Sequence, residues 1–155
     1  MTISKIPDQL ITQTMHGVID LFLKPKFISL GMNATGKWLN SLEPKAINGN
    51  GEIWGMDYTY WLVNGRKPGK MPPVQALIPW VNAKFGIGGN EAKSIAWAVA
   101  VKIKNEGTDY YPDGTDLLEV LNSQECRKYV ETQLSTFYSF EISKLLVKQL
   151  KQNLL

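Results

Sequence analysis

The stretch "EIWGMDYTYWLVNGRKPGKMPP", residues 52–73, decides the fold, because it joins an aromatic run to a loop of unusual composition. Its first part, 52–65, is rich in aromatic and β-branched residues with roughly alternating polarity. That pattern predicts a strand, bulged or interrupted at Gly55. "NGNG" at 48–51 just ahead is a turn signal, since Asn and Gly accept positive φ at low cost. The second part, "NGRKPGKMPP" at 64–73, holds three cations, two glycines and three prolines. Pro68, Pro72 and Pro73 pre-set φ, and Gly65 and Gly69 permit sharp bends. The loop is therefore expected to be a stiff turn that projects Arg66, Lys67 and Lys70 from the end of a sheet.

Outward from this stretch the chain reads mostly as helix. In "IPDQLITQTMHGVIDLFLKP", Leu10, Met15, Val18, Leu21 and Phe22 follow helical spacing, giving an N-terminal helix within 1–25 that Pro25 should end or kink. "KFISLGMNATGKWLNSLE" predicts a second helix, weakened by Gly31, Thr35 and Gly36. Val74, Leu77, Ile78, Val81 and Phe85 predict a third. Pro79 sits inside that pattern, so its regular part is expected from about Ala76. In "EAKSIAWAVAVKIKNEG", Ala92, Ala96, Val99, Ala100 and Ile103 share one face, and Gly107 suits the C′ position. "TDYYPDGTD" at 108–116 reads as loop, and Asp116 with Glu119 matches a capping box for a short turn through Leu121. From 123 to 153, Cys126, Val130, Leu134, Phe137, Ile142, Leu145, Leu150 and then Leu154 predict one long helix, about 45 Å in extent. The expected fold class is α+β: helices packed on a small antiparallel sheet, with a long C-terminal helix.

A chain of 155 residues is enough for a single domain with a real core, and 1–155 is read as one domain. An apolar content of 44% with 20% charged residues places it among globular proteins. The net charge of +3 is too mild to predict a DNA-binding surface by itself. The single cysteine, Cys126, excludes an intrachain disulfide and suits a reducing compartment. "MTISKIPDQLITQ" lacks the apolar core of a signal peptide, and no run of about 18 apolar residues predicts a membrane span.

Catalytic chemistry needs convergent polar groups, and the chain offers one histidine and one cysteine. His16, beside Met15 and Gly17, reads as structural or surface. Cys126 lies in no motif and reads as a small buried hydrophobe. Asp109, Asp113 and Asp116 miss the ligand spacing of a calcium loop, and turn and cap roles explain them more simply. "GRKPGK" fails as a phosphate loop: Gly65 and Gly69 are one residue too close, Met71 stands where Ser or Thr is needed, and the prolines remove N–H donors. No enzyme activity, cofactor or metal is expected. Nucleic-acid binding stays open, because Arg66, Lys67 and Lys70 beside Tyr58, Tyr60, Trp61 and Trp80 would pair phosphate contacts with stacking. The alternative is that those aromatics form a small core and the cations are solvated.

Three blocks carry a resemblance, in this order: "NATGKWLNSLE", "YTYWLVNGRKPGKMPPVQALIPWVNAKFGI" and "SIAWAVAVKIKNEGT". Together they resemble a group of tailed-bacteriophage virion morphogenesis proteins, the small neck, head–tail joining or tail-completion proteins. The matching positions are Ala34, Thr35, Gly36 and Ser41; then Tyr58, Tyr60, Leu62, Gly65, Arg66, Pro68, Gly69, Met71, Pro72, Pro73, Trp80 and Lys84; then Ala96, Lys102, Ile103, Gly107 and Thr108. The likeness covers 30–110 as an α+β core and is densest over 58–87. Pro79 departs from the pattern, and 1–25 and the C-terminal helix lie outside it.

The resemblance implies a non-enzymatic structural connector of a tailed phage, assembled as a ring between portal and tail, on the order of six or twelve copies. It implies a place in the virion neck at the portal vertex, after assembly in the bacterial host cytoplasm. The implied partners are copies of itself, portal, adaptor or tail proteins, and DNA passing through the channel; no membrane is implied. The candidate interface is Arg66, Lys67, Pro68, Gly69, Lys70, Met71, Pro72, Pro73 and Trp80, which would meet an acidic neighbouring surface or the DNA. The alternative is a small nucleic-acid-binding protein that uses the basic loop at 65–70 and its aromatics.

Overall fold

A computed structural model of the chain describes residues 5–109 and 111–153, the side chains of 151–153 excepted. Leu154, Tyr110 and the first four residues of the expected N-terminal helix lie outside the described residues. The helices are α1 Asp8–Val18, α2 Lys24–Ser29, α3 Lys37–Ser41, α4 Thr59–Asn64, α5 Val74–Phe85, α6 Gly89–Glu106 and α7 Gln124–Asn153. A π turn spans Ile19–Leu23 and a 3₁₀ turn spans Glu119–Asn122. Strands β1 Glu43–Ile47 and β2 Asn50–Trp54 form one antiparallel pair. The fold is α+β with a long C-terminal helix. No helix among the described residues is long and apolar enough to cross a membrane.

The chain divides into two compact units. One holds the described parts of Met1–Lys24, Glu43–Trp54 and Glu119–Leu155; the other holds Pro25–Leu42 and Gly55–Leu118. In the first, β1 and β2 meet through a two-residue turn in which Asn48 and Gly49 both have positive φ, 53° and 82°. Such turns match the right-handed twist of a hairpin. Helix α1 packs on this hairpin, and Gly51 lies so close to Met15 and Ile11 that a side chain there would displace them. Ile11, Thr14, Val18, Ile19 and Leu23 are buried along the helical spiral. The thread of α7 begins beside α1, where Tyr129 stands over Gly17 and its ring meets Phe22 at 5.8 Å.

The second unit has two apolar clusters. Phe27 and Trp38 stack at 4.3 Å and bury Leu117, with Leu62 and Val63 of α4 against them. Separately, α5 and α6 enclose Val81, Ala92 and Ala96, all 0% exposed. Alanines four residues apart leave a flat stripe on α6 that lets another helix approach closely. The expected face of α6 and the C′ role of Gly107, with φ +86°, both hold.

Five expectations need correction. The predicted strand over 52–65 ends at Trp54, and 59–64 is helix α4. In a strand, Leu62 and Val63 would face opposite sides, and only one could reach the Phe27–Trp38 cluster. A helical turn places both on it, so packing overrides β propensity. Thr59 fixes the helix start: its hydroxyl donates to the Met56 carbonyl at 2.6 Å and accepts from the Trp38 indole N–H at 2.8 Å.

The predicted helix over "KFISLGMNATGKWLNSLE" is two short ones. Gly31 (φ +67°) and Gly36 (φ +71°) take left-handed conformations, and the Asn33 side chain accepts from Gly36 N–H at 3.0 Å in a local turn. Of the expected end or kink at Pro25, the end does not occur: α2 runs through Pro25, directly after the π turn. A π turn is a slip in the helical hydrogen-bond ladder, and here it precedes the one residue unable to donate to that ladder. Pro79 likewise lies within α5, which starts at Val74 rather than near Ala76. Asp116, expected to cap the turn at Glu119, instead pairs with Lys26 at 2.6 Å.

Candidate interaction loop

Contrary to expectation, residues 65–73 do not leave the end of a sheet but connect helix α4 to helix α5, because 59–64 is helical, and neighbouring backbone determines their path. The chain leaves α4 at Gly65, whose φ is +72° and which is buried. A Cβ at Gly65 would collide with the Pro112 carbonyl, and one at Gly114 with the Val63 carbonyl. Both glycines are needed because two stretches of backbone touch there. Thr115 closes the contact: its N–H donates to the Val63 carbonyl at 2.8 Å and its hydroxyl to the Leu62 carbonyl at 2.9 Å.

The middle of the loop is held against the end of α6. Thr108 N–H donates to the Arg66 carbonyl at 2.9 Å, and Gly69 N–H donates to the Lys104 carbonyl at 2.8 Å. A Cβ at Gly107 would strike the Arg66 carbonyl. The loop is therefore braced from outside by residues 104–115, in addition to the φ restriction of its own prolines. Pro72 is buried and Met71 half-buried, while Pro73 (φ −62°) leads into α5.

The three cations differ. Arg66 turns inward: its guanidinium donates to the Lys70 carbonyl at 2.8 Å and lies 5.2 Å from the Trp61 ring centroid. Lys67 and Lys70 are exposed, with Pro68 and Gly69 between them, and neither forms an ion pair among the described residues. The loop thus presents two lysines, and its arginine braces it. Tyr60 and Trp61 stay exposed at 61% and 45%, edge to face at 5.0 Å. Partial burial pushes the Tyr58 hydroxyl above its ordinary range. Trp80, on α5, is half-buried against the Val81 cluster and meets Phe85 edge-on at 5.7 Å.

His16 is exposed in the last turn of α1. Cys126 is 3% exposed, and burial raises its thiol above the ordinary range. Asp109 pairs with Lys102, which holds that ammonium above its usual value through the hydrogen bond and then the charge. Among the described residues no cluster of three or more His, Cys, Asp or Glu could hold a metal.

The sequence reading missed Gly107 and Gly114 as partners of the loop, together with Thr108 and Thr115. The "PDG" at 112–114 was the available signal, since such a tripeptide marks a tight turn. Which backbone that turn would touch is a tertiary fact. Tyr111 was also missed: it has φ +54°, and its hydroxyl donates to the Leu30 carbonyl at 2.7 Å. Compared with protein-family models, curated proteins and solved structures, the chain matches none.

Proposed function

We propose that the chain is a structural connector of a tailed bacteriophage, acting as a ring of copies between portal and tail in the neck of the virion. The observation that carries this reading is the braced loop at 65–70, the centre of the resemblance over 58–87. Glycine-mediated backbone contacts fix its shape, and it presents Lys67 and Lys70 without further ordering. A preformed contact element loses little entropy on docking. The exposed apolar side chains of α7, among them Phe140, Leu146 and Leu150, offer area that a neighbour in a ring would cover. The chain's role in this reading is binding and positioning, with no reaction step.

Charge reversal tests the loop. Lys67→Glu with Lys70→Glu should leave the fold intact, because both side chains are exposed. The expected result is loss of ring-sized assemblies and of tailed particles, with an unchanged melting curve. Unchanged assembly by the double variant would contradict the role given to the loop. A small nucleic-acid-binding protein is the rival, and it predicts a monomer that binds duplex DNA with steep salt dependence.

A further inference from the structure

Helix α6 carries a second set of exposed groups that the connector reading leaves unused. Trp97 is 59% exposed, the most open of the tryptophans among the large exposed hydrophobics. At 3.6 residues per turn, Lys93, Trp97 and Lys104 project within about 40° of one another, over about 16 Å of helix. The helix's acids, Glu91 and Glu106, fall more than about 100° away from all three. The remaining lysine, Lys102, lies on the acidic side and pairs with Asp109, so the stripe of Lys93, Trp97 and Lys104 holds no acid of this helix. The loop lies at the C-terminal end of the same helix, where Gly69 N–H donates to the Lys104 carbonyl, and brings Lys67 and Lys70 to that end. All four lysines are exposed, and none forms an ion pair among the described residues.

We propose that Trp97, with Lys93 and Lys104 on α6 and Lys67 and Lys70 on the loop, forms a binding surface for single-stranded nucleic acid. The indole stacks on an unpaired base, and the lysines neutralise the phosphates on either side of it. A single strand fits better than a duplex, because paired bases hide the faces that an isolated indole can stack on. A protein partner fits less well. A tryptophan that anchors a protein interface needs close neighbours able to exclude water around it, and Trp97 is flanked on its open side by Asn90, Lys93 and Ser94, all exposed.

The surface shares Lys67 and Lys70 with the docking loop of the connector reading, whereas Trp97, Lys93 and Lys104 belong to it alone. A ring protein and a monomeric binder can both carry it, and the test uses a single strand where the connector test reads mass and duplex binding. The experiment is fluorescence anisotropy of a labelled oligothymidylate of ~16 nucleotides, with a duplex of equal length for comparison, across a salt series. The expected result is tighter binding to the single strand, weakened about tenfold by Trp97→Ala and largely retained by Trp97→Phe. Lys93→Gln with Lys104→Gln should reduce the slope of log K against log salt by about 1.4. These positions are exposed, so thermal melting should match the parent chain and separate lost binding from lost folding. The proposal is overturned by absence of single-strand binding, by equal or tighter duplex binding, or by binding that neither Trp97→Ala nor the lysine pair alters.

Discussion

Helices α6 and α7 read alike in the sequence, each a long segment with apolar residues at helical intervals, yet they end in opposite situations. On α6 the apolar face is consumed inside the chain: Ala92, Ala96 and Ala100 are 0% exposed, the first two packed with α5. On α7 the first turns are anchored by Cys126 and Tyr129, whereas Phe140, Ile142, Leu146, Val147 and Leu150 are 46–62% exposed. Periodicity reports that a helix has an apolar face; it does not report what covers that face. A helix whose partner is its neighbour in the chain, as α5 is for α6, buries its apolar face there. One whose apolar side chains find no cover among the described residues stays exposed along its length.

The largest expected effect tests the buried side of this contrast. Trp38→Ala should cost about 3–5 kcal/mol in urea unfolding, because it removes the stack on Phe27 and the hydrogen bond to Thr59. Gly114→Ala should cost about 2–4 kcal/mol, combining a left-handed φ of +92° with a methyl group driven onto the Val63 carbonyl. Ala96→Leu on α6 should cost about 1–3 kcal/mol by overpacking the α5–α6 contact, seen as a lower urea midpoint.

On α7 the same kind of change should do little. Leu146→Ser with Leu150→Ser should shift stability by no more than about 0.5 kcal/mol each while reducing self-association in light scattering. A large loss of stability in that variant would show the two helices to be less different than their exposure implies.

The smallest effect is on pH dependence. Burial keeps the Cys126 thiol protonated in the folded chain at pH values where the unfolded thiol, near its ordinary 9.0, has ionised. Its contribution is complete below that value and is lost as pH rises through the folded value. The raised Tyr58 and Lys102 act in the same direction, from about pH 10 upward. Stability measured by urea unfolding should therefore fall progressively above about pH 9, and Cys126→Ala should flatten the first part of that fall. Iodoacetamide should label Cys126 slowly until the chain unfolds.

Much of the fold was legible because its signals are local. The positive φ of Asn48 and Gly49, the alanine stripe of α6 and the length of α7 each follow from neighbouring residues alone. What was not legible depended on distant partners. Strand β1, "EPKAI", has little β propensity and holds Pro44, tolerated because each strand of a two-stranded sheet is an edge. Helix α4 looks like a strand until Phe27, Trp38 and Leu117 require two adjacent side chains on one side. In the loop, the stiffness and the exposed lysines were readable from the prolines, glycines and charges. The inward turn of Arg66 and the seat on residues 104–115 were not, since both depend on backbone groups contributed from other parts of the chain.

The most direct test of the connector account is solution mass by light scattering over a range of concentrations, with and without duplex DNA at low and moderate salt. The account predicts a discrete oligomer at a whole multiple of 17.4 kDa, with duplex DNA left unbound at moderate salt. A chain that stays at 17.4 kDa throughout and forms a salt-sensitive complex with the duplex would contradict it.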